Sequence, residues 1–384
     1  MVTYDYIIAG LGCAGLSLVY YLLDSPLKDK KILLIDNSSK TENDKTWCYW
    51  AEKPLEIHPN NTPLVFWESL KIAESKKIVS TKLENLKYYH IKSSDFYKKV
   101  IERIKRFPNV SFIKDTVVKI EKSRSGLVNV VTSKLGVFRS DLLFNSIPFS
   151  SPVKKKTSIL KQVFVGWKIS CDNEHFDPRA VSLMHFVSDQ KSKTDFFYIL
   201  PYNEKEALVE YTVYTKSELD IQSMESNLAH YLEKELGIRH YEIAFKESGS
   251  IPMTTRETPQ NENPNIIYIG TLAGCSKPST GYTFYDIQKH CKSIVSELIS
   301  SGKVNSRKWS RKKRFSFYDN IILNITVKWP EALPQVFRQM FAVNQANLVL
   351  RFLHEETSIW EEIGLFSRLK FSIFIKSLLN YEKH

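Results

Sequence analysis

Cysteine is scarce and unpatterned. The 384 residues include five cysteines (Cys13, Cys48, Cys171, Cys275 and Cys291), none in a Cys-x-x-Cys pair or a Cys/His zinc spacing. Such an odd set reads as reduced thiols, the usage expected of a cytoplasmic protein, not as a disulfide framework. His58, His90 and His185 also stand without partner spacing, so the sequence predicts no metal site. It has no run of about eighteen apolar residues that would span a bilayer as a helix. The opening MVTYDYIIAG lacks a basic stretch before its apolar run and reads as a first strand, not a secretory signal. Internal repeats, low-complexity tracts, a nucleic-acid module and a Ser/His/Asp nucleophile are missing as well.

What is present describes an ordinary folded chain. Hydrophobic residues make up 43% and charged residues 25%, which excludes disorder and fibrous repeats, and the length predicts about two or three domains. Aromatics at 12% fit an apolar ligand or plain core packing equally well. The net charge of +12 is compatible with an anionic partner or with solubility alone. The run Lys154-Lys155-Lys156 reads as a solvated face, and a second basic run extends from Arg307 to Arg314.

The first chemical signal is at the N-terminus. Residues 3–9 form a β-rich apolar run, followed at once by Gly10-Leu11-Gly12-Cys13-Ala14-Gly15. Leu16, Leu18, Val19, Leu22 and Leu23 then have helical spacing, and residues 31–35 form a second apolar strand ending in Asp36. Gly10 permits the tight turn, Gly12 lets backbone approach a pyrophosphate, and Gly15 lets the helix pack on the sheet. The helix N-terminus favours phosphate, and Asp36 can accept from ribose hydroxyls. The motif's place at the extreme N-terminus and a second glycine segment, Gly270-Thr271-Leu272-Ala273-Gly274, favour FAD over NAD, because a late strand and helix close over the flavin side in FAD proteins of this architecture, although on residues alone a plain strand–helix turn explains the late segment equally well.

Short strands alternate over 109–145, and apolar or aromatic strands with short connections over 161–215 predict one mostly antiparallel sheet. A helix is expected over 217–236, strands over 241–249 and 266–270, a helix near 281–300, and helices beyond about 305. The fold class is therefore α/β: an FAD-binding, Rossmann-like doubly wound fold with an inserted β-sheet substrate domain and a helical C-terminal part. The expected division is 1–160 and 263–305 for the FAD-binding domain, 161–262 for the substrate domain, and 306–384 for the helical region.

Several segments together are more specific than a fold. Asp44-Lys45-Thr46-Trp47-Cys48-Tyr49-Trp50, Ser94-Asp95-Phe96-Tyr97 and Gln162-Val163-Phe164-Val165-Gly166-Trp167 come in this order. They are followed by Phe176-Asp177-Pro178, Lys277-Pro278-Ser279-Thr280-Gly281-Tyr282-Thr283-Phe284 and Phe352-Leu353-His354-Glu355-Glu356-Thr357-Ser358. In that order and over nearly the whole chain they resemble the lycopene β-cyclase family of carotenoid biosynthesis. Departures fall at His185, Asn145 and Thr271. The resemblance implies a non-redox flavoenzyme that closes the ψ-ends of lycopene and γ-carotene into β-ionone rings. FAD would act in its reduced form, with NAD(P)H as reductant, and Gly281 would join the cofactor-binding glycines.

The chemistry needs a proton donor, a base, a negative or π-rich wall and exclusion of water. Glu210, in Leu208-Val209-Glu210-Tyr211-Thr212, shares a strand face with Leu208 and Thr212. On pattern alone two readings are about equal: an edge, solvent-facing or salt-bridged residue, or a carboxyl in a low-dielectric pocket with a raised pKa suited to proton transfer. The resemblance aligns it with the first Glu of the family's "LEET" motif, with Tyr211 replacing the second. Glu355-Glu356-Thr357 has similar letters in a helical region, where acidic residues usually face solvent or cap helices. Trp47, Trp50 and Trp167 are candidate walls. At the C-terminus, Leu365, Phe366, Leu369, Phe371, Phe374, Ile375, Leu378 and Leu379 with Arg368, Lys370 and Lys376 predict either core packing or a helix lying on an anionic bilayer. The resemblance favours peripheral contact with membrane lipid on the inner face of the cell membrane. A hydroxylase, a prenyl-chain reductase or a non-catalytic carotenoid-binding protein of the same architecture remain as alternatives.

Overall fold

A computed structural model of the chain describes residues 2–60, 64–122, 126–148, 159–187, 193–256, 263–305 and 309–384. The lysine run at 154–156 and residues 307–308 of the second basic run lie outside the described residues. The N-terminal signal folds as its pattern requires, into β1 (Thr3–Ala9), α1 (Cys13–Leu23) and β2 (Ile32–Asp36). Ile7, Ile8 and Ala9 are wholly buried, as a strand covered on both faces must be. Next come β3 (Thr46–Ala51), β4 (Phe66–Trp67), β5 (Ser69–Glu74), β6 (Lys77–Lys82), β7 (Lys87–Lys92) and α2 (Ser93–Ile104). Strand β8 (Val110–Lys114) precedes a meander of β9 (Val117–Lys122), β10 (Val128–Thr132) and β11 (Gly136–Asn145). The expected middle sheet is β12 (Lys161–Cys171), β13 (Ala180–Phe186), β14 (Thr194–Pro201), β15 (Glu206–Thr215), helix α3 (Ile221–Lys234) and β16 (Tyr241–Pro252). The chain returns to the first layer through β17 (Ile266–Tyr268) and α4 (Phe284–Ser301).

The first sheet runs β8-β2-β1-β11, all parallel, with β17 parallel to the last residues of β11 and the meander continuing from the first half of β11. Side chains from α1, α2 and α4 pack on one face. On the other, Ile7, Ala9, Leu33 and Ile35 meet Val117, Val128 and Val130. This is the doubly wound α/β arrangement expected. Of the short strands over 109–145, only β9, β10 and β11 form the meander, because β8 pairs in parallel with β2.

The second sheet has the order β16-β12-β15-β14-β13-β5-β6 and is antiparallel except where β13 meets β5. Strands β5 and β6 come from residues 69–82, so this sheet is fed from two separate stretches of chain. Its alternating pattern sorts the faces. Val165, Trp167, Ile169, Phe197, Val209 and Tyr211 pack against Met224, Leu228 and Tyr231 of α3. The opposite face looks towards the first layer. A third sheet, β3-β7-β4, bridges the two.

The C-terminal helices are α5 (Lys313–Lys328), α6 (Leu333–Ala342), α7 (Ala346–Leu353), α8 (Ile359–Phe366) and α9 (Ser372–Leu379). The apolar stripe expected as one helix near the C-terminus is broken into the end of α8, the turn after it that holds Leu369 and Phe371, and α9. Leu365 and Leu369 belong to the core, with Phe366 and Phe374 packed on it, while Phe371, Ile375, Leu378 and Leu379 face outward. Trp360 is 81% exposed and Leu379 82%, an unusual cost for large apolar side chains. No described helix is long and apolar enough to cross a membrane.

A buried ion cluster fastens this helical part to the loop after β17. Lys277 Nζ lies 3.0 Å from Asp319 and 3.2 Å from Glu355. Arg311 pairs with Asp286 at 2.8 Å and with Glu355, and donates to the Cys275 carbonyl. Glu355 therefore does not face solvent: burial opposes its ionisation, but Lys277 and Arg311 hold its carboxyl below the usual range. The cluster has three anions and two cations, so losing a cation is the costlier change. Arg311→Met should destabilise the protein by about 3–5 kcal/mol, and Glu355→Gln by much less. Urea unfolding of both variants measures this, and equal midpoints would contradict the assignment.

Candidate active site

A cavity of about 490 Å³ lies between the glycine turn and the inner face of the second sheet. Gly12, Cys13 and Ala14 form one end, the 279–283 loop borders it, and Glu210 and Glu247 line the sheet side. An adjoining cavity of about 540 Å³ is lined by Gly274 and shares Ser146, Ser250 and Thr271 with the first.

The turn is built by close approach. Gly10 has φ +87°, and a Cβ there would stand 2.2 Å from Ser146 Oγ. A Cβ on Gly15 would stand 2.1 Å from the Gly10 carbonyl oxygen, so α1 can sit this close to the turn only without a side chain. Gly12 is the reverse: a Cβ would meet nothing within 4 Å, because the residue opens on the cavity. Helix α1 begins there without a side-chain cap, leaving its first N–H groups available. Gly270 packs against Ala14 at the same end. A Cβ on Gly281, φ +76°, would reach 2.5 Å from Gln162 Oε1. Asp36 lines neither cavity. Its carboxylate accepts from Leu11 N at 2.6 Å and Ser38 N at 2.8 Å and pairs with Lys40 at 3.1 Å, which buttresses the glycine turn.

The sheet side carries the titratable groups. Tyr198 on β14, Glu210 on β15, Gly166 on β12 and Glu247 on β16 stand in one register row across four neighbouring strands. Glu210 is thus interior to the sheet. Thr212 Oγ1 donates to it at 2.7 Å. Burial, with the nearby Glu247 charge, pushes its carboxyl up to about 8. Glu247, 7% exposed, accepts from Thr46 N at 2.8 Å, and burial raises its carboxyl as well. The sequence reading did not single out Glu247, but the alternation of β16 places it on the face of Gly249 and Ile251. Tyr211, which replaces the second motif Glu, turns to the other face and stacks on Phe197 at 4.9 Å.

Aromatic residues wall the cavity. Tyr88 is hydrogen-bonded to Tyr198 at 2.6 Å and to Tyr282 at 3.1 Å, and Trp47, Phe164 and Phe196 add apolar surface. Trp47 is the one expected tryptophan here. Trp50 packs in the core with its indole N–H on the Leu350 carbonyl, and Trp167 points to α3 and donates to Glu225. The histidines are partners of buried tyrosines: His58 of Tyr49, His90 of Tyr202 and His185 of Tyr231. Burial drives His90 down to about 3, so it is neutral. Met184 lines the cavity while its neighbour His185 faces away.

Solved structures share this architecture. FqzB aligns at TM-score 0.65 and 12% identity over 99% of this chain and 95% of that one. A geranylgeranyl bacteriochlorophyll reductase-like protein from Thermoplasma acidophilum aligns at TM-score 0.64 and 12% identity over 98% of both chains. A probable FAD-dependent monooxygenase from Pseudomonas aeruginosa, pqsL, aligns at 0.57 and 9% over 88% of this chain and 100% of that one. These likenesses define a Rossmann-type mixed α/β class. No curated protein sequence matches the chain significantly. The family model described as lycopene cyclase protein matches residues 5–380, nearly the whole length, so the chain belongs to the lycopene cyclase family.

The raised Glu210 carboxyl makes stability depend on pH. Between its ordinary value of 4.5 and about 8, the folded chain holds this proton more tightly than the unfolded chain does. Wild-type stability relative to Glu210→Gln should fall as pH rises through that window and level off above it. Urea unfolding of both proteins across pH measures the difference, and parallel curves throughout would show an ordinary carboxyl.

Proposed function

We propose that the protein is a lycopene β-cyclase that converts the ψ-ends of lycopene and γ-carotene to β-ionone rings without net redox change. The observation that supports this best is a half-buried carboxyl, pushed up to about 8 by desolvation and by Glu247, on the wall of an aromatic cavity that reaches the dinucleotide-type glycine turn. Glu210 donates its proton to the terminal double bond. The neighbouring double bond closes the ring onto the resulting tertiary cation, and loss of a proton completes the isomerisation. Tyr88, Tyr198 and Tyr282 offer ring faces to a cation, each worth about 0.5–2 kcal/mol. Trp47, Phe164 and Phe196 help exclude the water that would trap the cation as an alcohol.

FAD fits the residues present. Gly12 leaves backbone open to the cavity, and the buried Gln162 Oε1 and Thr280 Oγ1 lack partners. Gly12 would face the pyrophosphate, with Gly10, Gly15 and Asp36 shaping the turn that presents it, and Gly270, Gly274 and Gly281 would border the flavin side. Bound in its reduced form, maintained by NAD(P)H, the cofactor would supply negative charge beside the cation. Gly12→Val places methyl groups in that space. Purified Gly12→Val should therefore have little FAD, and a normal flavin content would refute this placement.

In lycopene-producing cells, Glu210→Gln should lower cyclic carotenoid about 10²–10⁴-fold at matched protein level, with flavin content retained. Near-normal cyclic product would refute the acid assignment. Consumption of one NAD(P)H per product would point instead to an oxidoreductase of the same architecture.

A long hydrocarbon substrate has to be collected from a bilayer. The outward apolar residues of α8 and α9, with exposed Arg368, Lys370 and Lys376, suit the cytoplasmic, anionic face of a membrane. Leu365, Leu369 and Ser377 are internal, so truncation would damage the core. The combined change Trp360→Ser, Ile375→Ser and Leu379→Ser should leave the fold intact and abolish flotation with anionic liposomes. Unchanged flotation would place the docking surface elsewhere.

A further inference from the structure

We infer that Glu247 is the second catalytic carboxyl, the one that accepts the proton released after ring closure, while Glu210 supplies the proton that begins it. This rests on the cyclase reading above. The two residues are remote in sequence but are both in register with Gly166, one on each side of it. Gly166 has no side chain to separate them. A Cβ there would stand 3.2 Å from Glu247 Cγ and 3.5 Å from its Oε1, so any larger residue would intrude between the carboxyls. Both line the same cavity.

Their surroundings are unequal. Glu247 Oε2 is held by the Thr46 backbone N–H, while Oε1 is buried without a partner. A backbone N–H cannot accept a proton, so it favours the ionised form of Glu247. The donor on Glu210 is the Thr212 hydroxyl, which can reverse its role and accept from a protonated carboxyl. Two buried carboxylates cannot both be charged cheaply, so this asymmetry leaves the proton on Glu210. The other groups bearing on the pair are Lys45, which favours ionisation of both, and Asp44, Cys48, Tyr198 and Tyr282. Lys168, further along β12 on the same face, is engaged by Glu206 at 2.9 Å. The Lys45 ammonium is bonded to the Ser248 carbonyl, which keeps it at the rim.

The proton balance closes within the pair. The Glu210 O–H bond breaks and a C–H bond forms at the terminal alkene. The electron pair of the neighbouring double bond becomes the new ring bond. The C–H bond on the ring carbon bearing the polyene then breaks, its electron pair forms the ring double bond, and its proton passes to Glu247. Transfer of that proton back to Glu210 restores the starting state, and no electrons leave the substrate.

The test compares full-length wild type, Glu210→Gln, Glu247→Gln and Glu247→Asp, each checked for fold by near-ultraviolet circular dichroism. Infrared titration follows the protonated-carboxyl band. It should disappear near about 8 in wild type, be lost in Glu210→Gln, and shift to a lower midpoint in Glu247→Gln because the like-charged neighbour is gone. An unmoved midpoint would overturn the pairing. With lycopene, Glu247→Gln should lower β-ring formation about 10²-fold and divert product to misplaced ring double bonds or alcohols, which Glu210→Gln should not form. Glu247→Asp should recover part of the β-ring yield. Undiminished β-ring product from Glu247→Gln, or a Glu247→Asp variant no better than it, would overturn the base assignment. If wild type cyclises no lycopene, the cyclase reading fails while the infrared result still decides whether the carboxyls are coupled.

Discussion

Two carboxyl groups share the cavity-facing side of one sheet, largely shielded from solvent, and this constrains much of the surrounding structure. A buried carboxylate without compensation is costly. Here the cost is limited by position: Glu210 and Glu247 flank the small Gly166, each has one hydrogen-bond donor, and the cavity on their open side separates them from the closely packed core. The opposite face of the same strands carries the apolar cluster that packs on α3 behind the site. The carboxyls are thus set on paired strands and not on loops, the arrangement that best preserves a geometry on which proton transfer depends.

The first layer closes the cavity from the other side by steric means. Gly15 lets α1 approach the turn, Gly10 makes room for Ser146, and Gly12 alone leaves space unfilled. The third sheet links the layers: Trp47 packs with Phe96, Tyr97 and Phe284 of the first layer, while Thr46 beside it donates to Glu247 on the second. A shift of β3 would therefore alter both the aromatic wall and the protonation of the carboxyl pair. The buried ion cluster acts similarly on the 279–283 loop. Ser279 donates to Asp319 at 2.6 Å while Lys277 pairs with the same residue, so the C-terminal helices fix the loop that borders the cavity.

The aromatic residues divide into two groups with different physical roles. Tyr88, Tyr198 and Tyr282 satisfy one another's hydroxyls and so can be buried at the cavity without leaving polar atoms to compete for a hydrocarbon. Trp50, stacked on His354 at 4.2 Å, and Trp167, bonded to Glu225, spend their indole N–H groups on structure elsewhere. Residue type did not separate these roles. The side of the strand on which each ring lies did.

The local steps were legible in the sequence: the strand, glycine turn and helix of residues 3–23, the acidic end of β2, the antiparallel runs from Lys161 to Thr215, and the residues that share a strand face with Glu210. Each depends on a short period or on a backbone demand that neighbouring residues express directly. Tertiary structure decided what depends on distant partners. Strands β5 and β6 joined the second sheet, Glu355 entered a buried ion cluster, and the C-terminal stripe divided between interior and surface. Above all, the pairing of β12 with both β15 and β16 set Glu247 across Gly166 from Glu210. Alternation tells which face a residue takes, but only the long-range register of three strands tells which residue stands beside it.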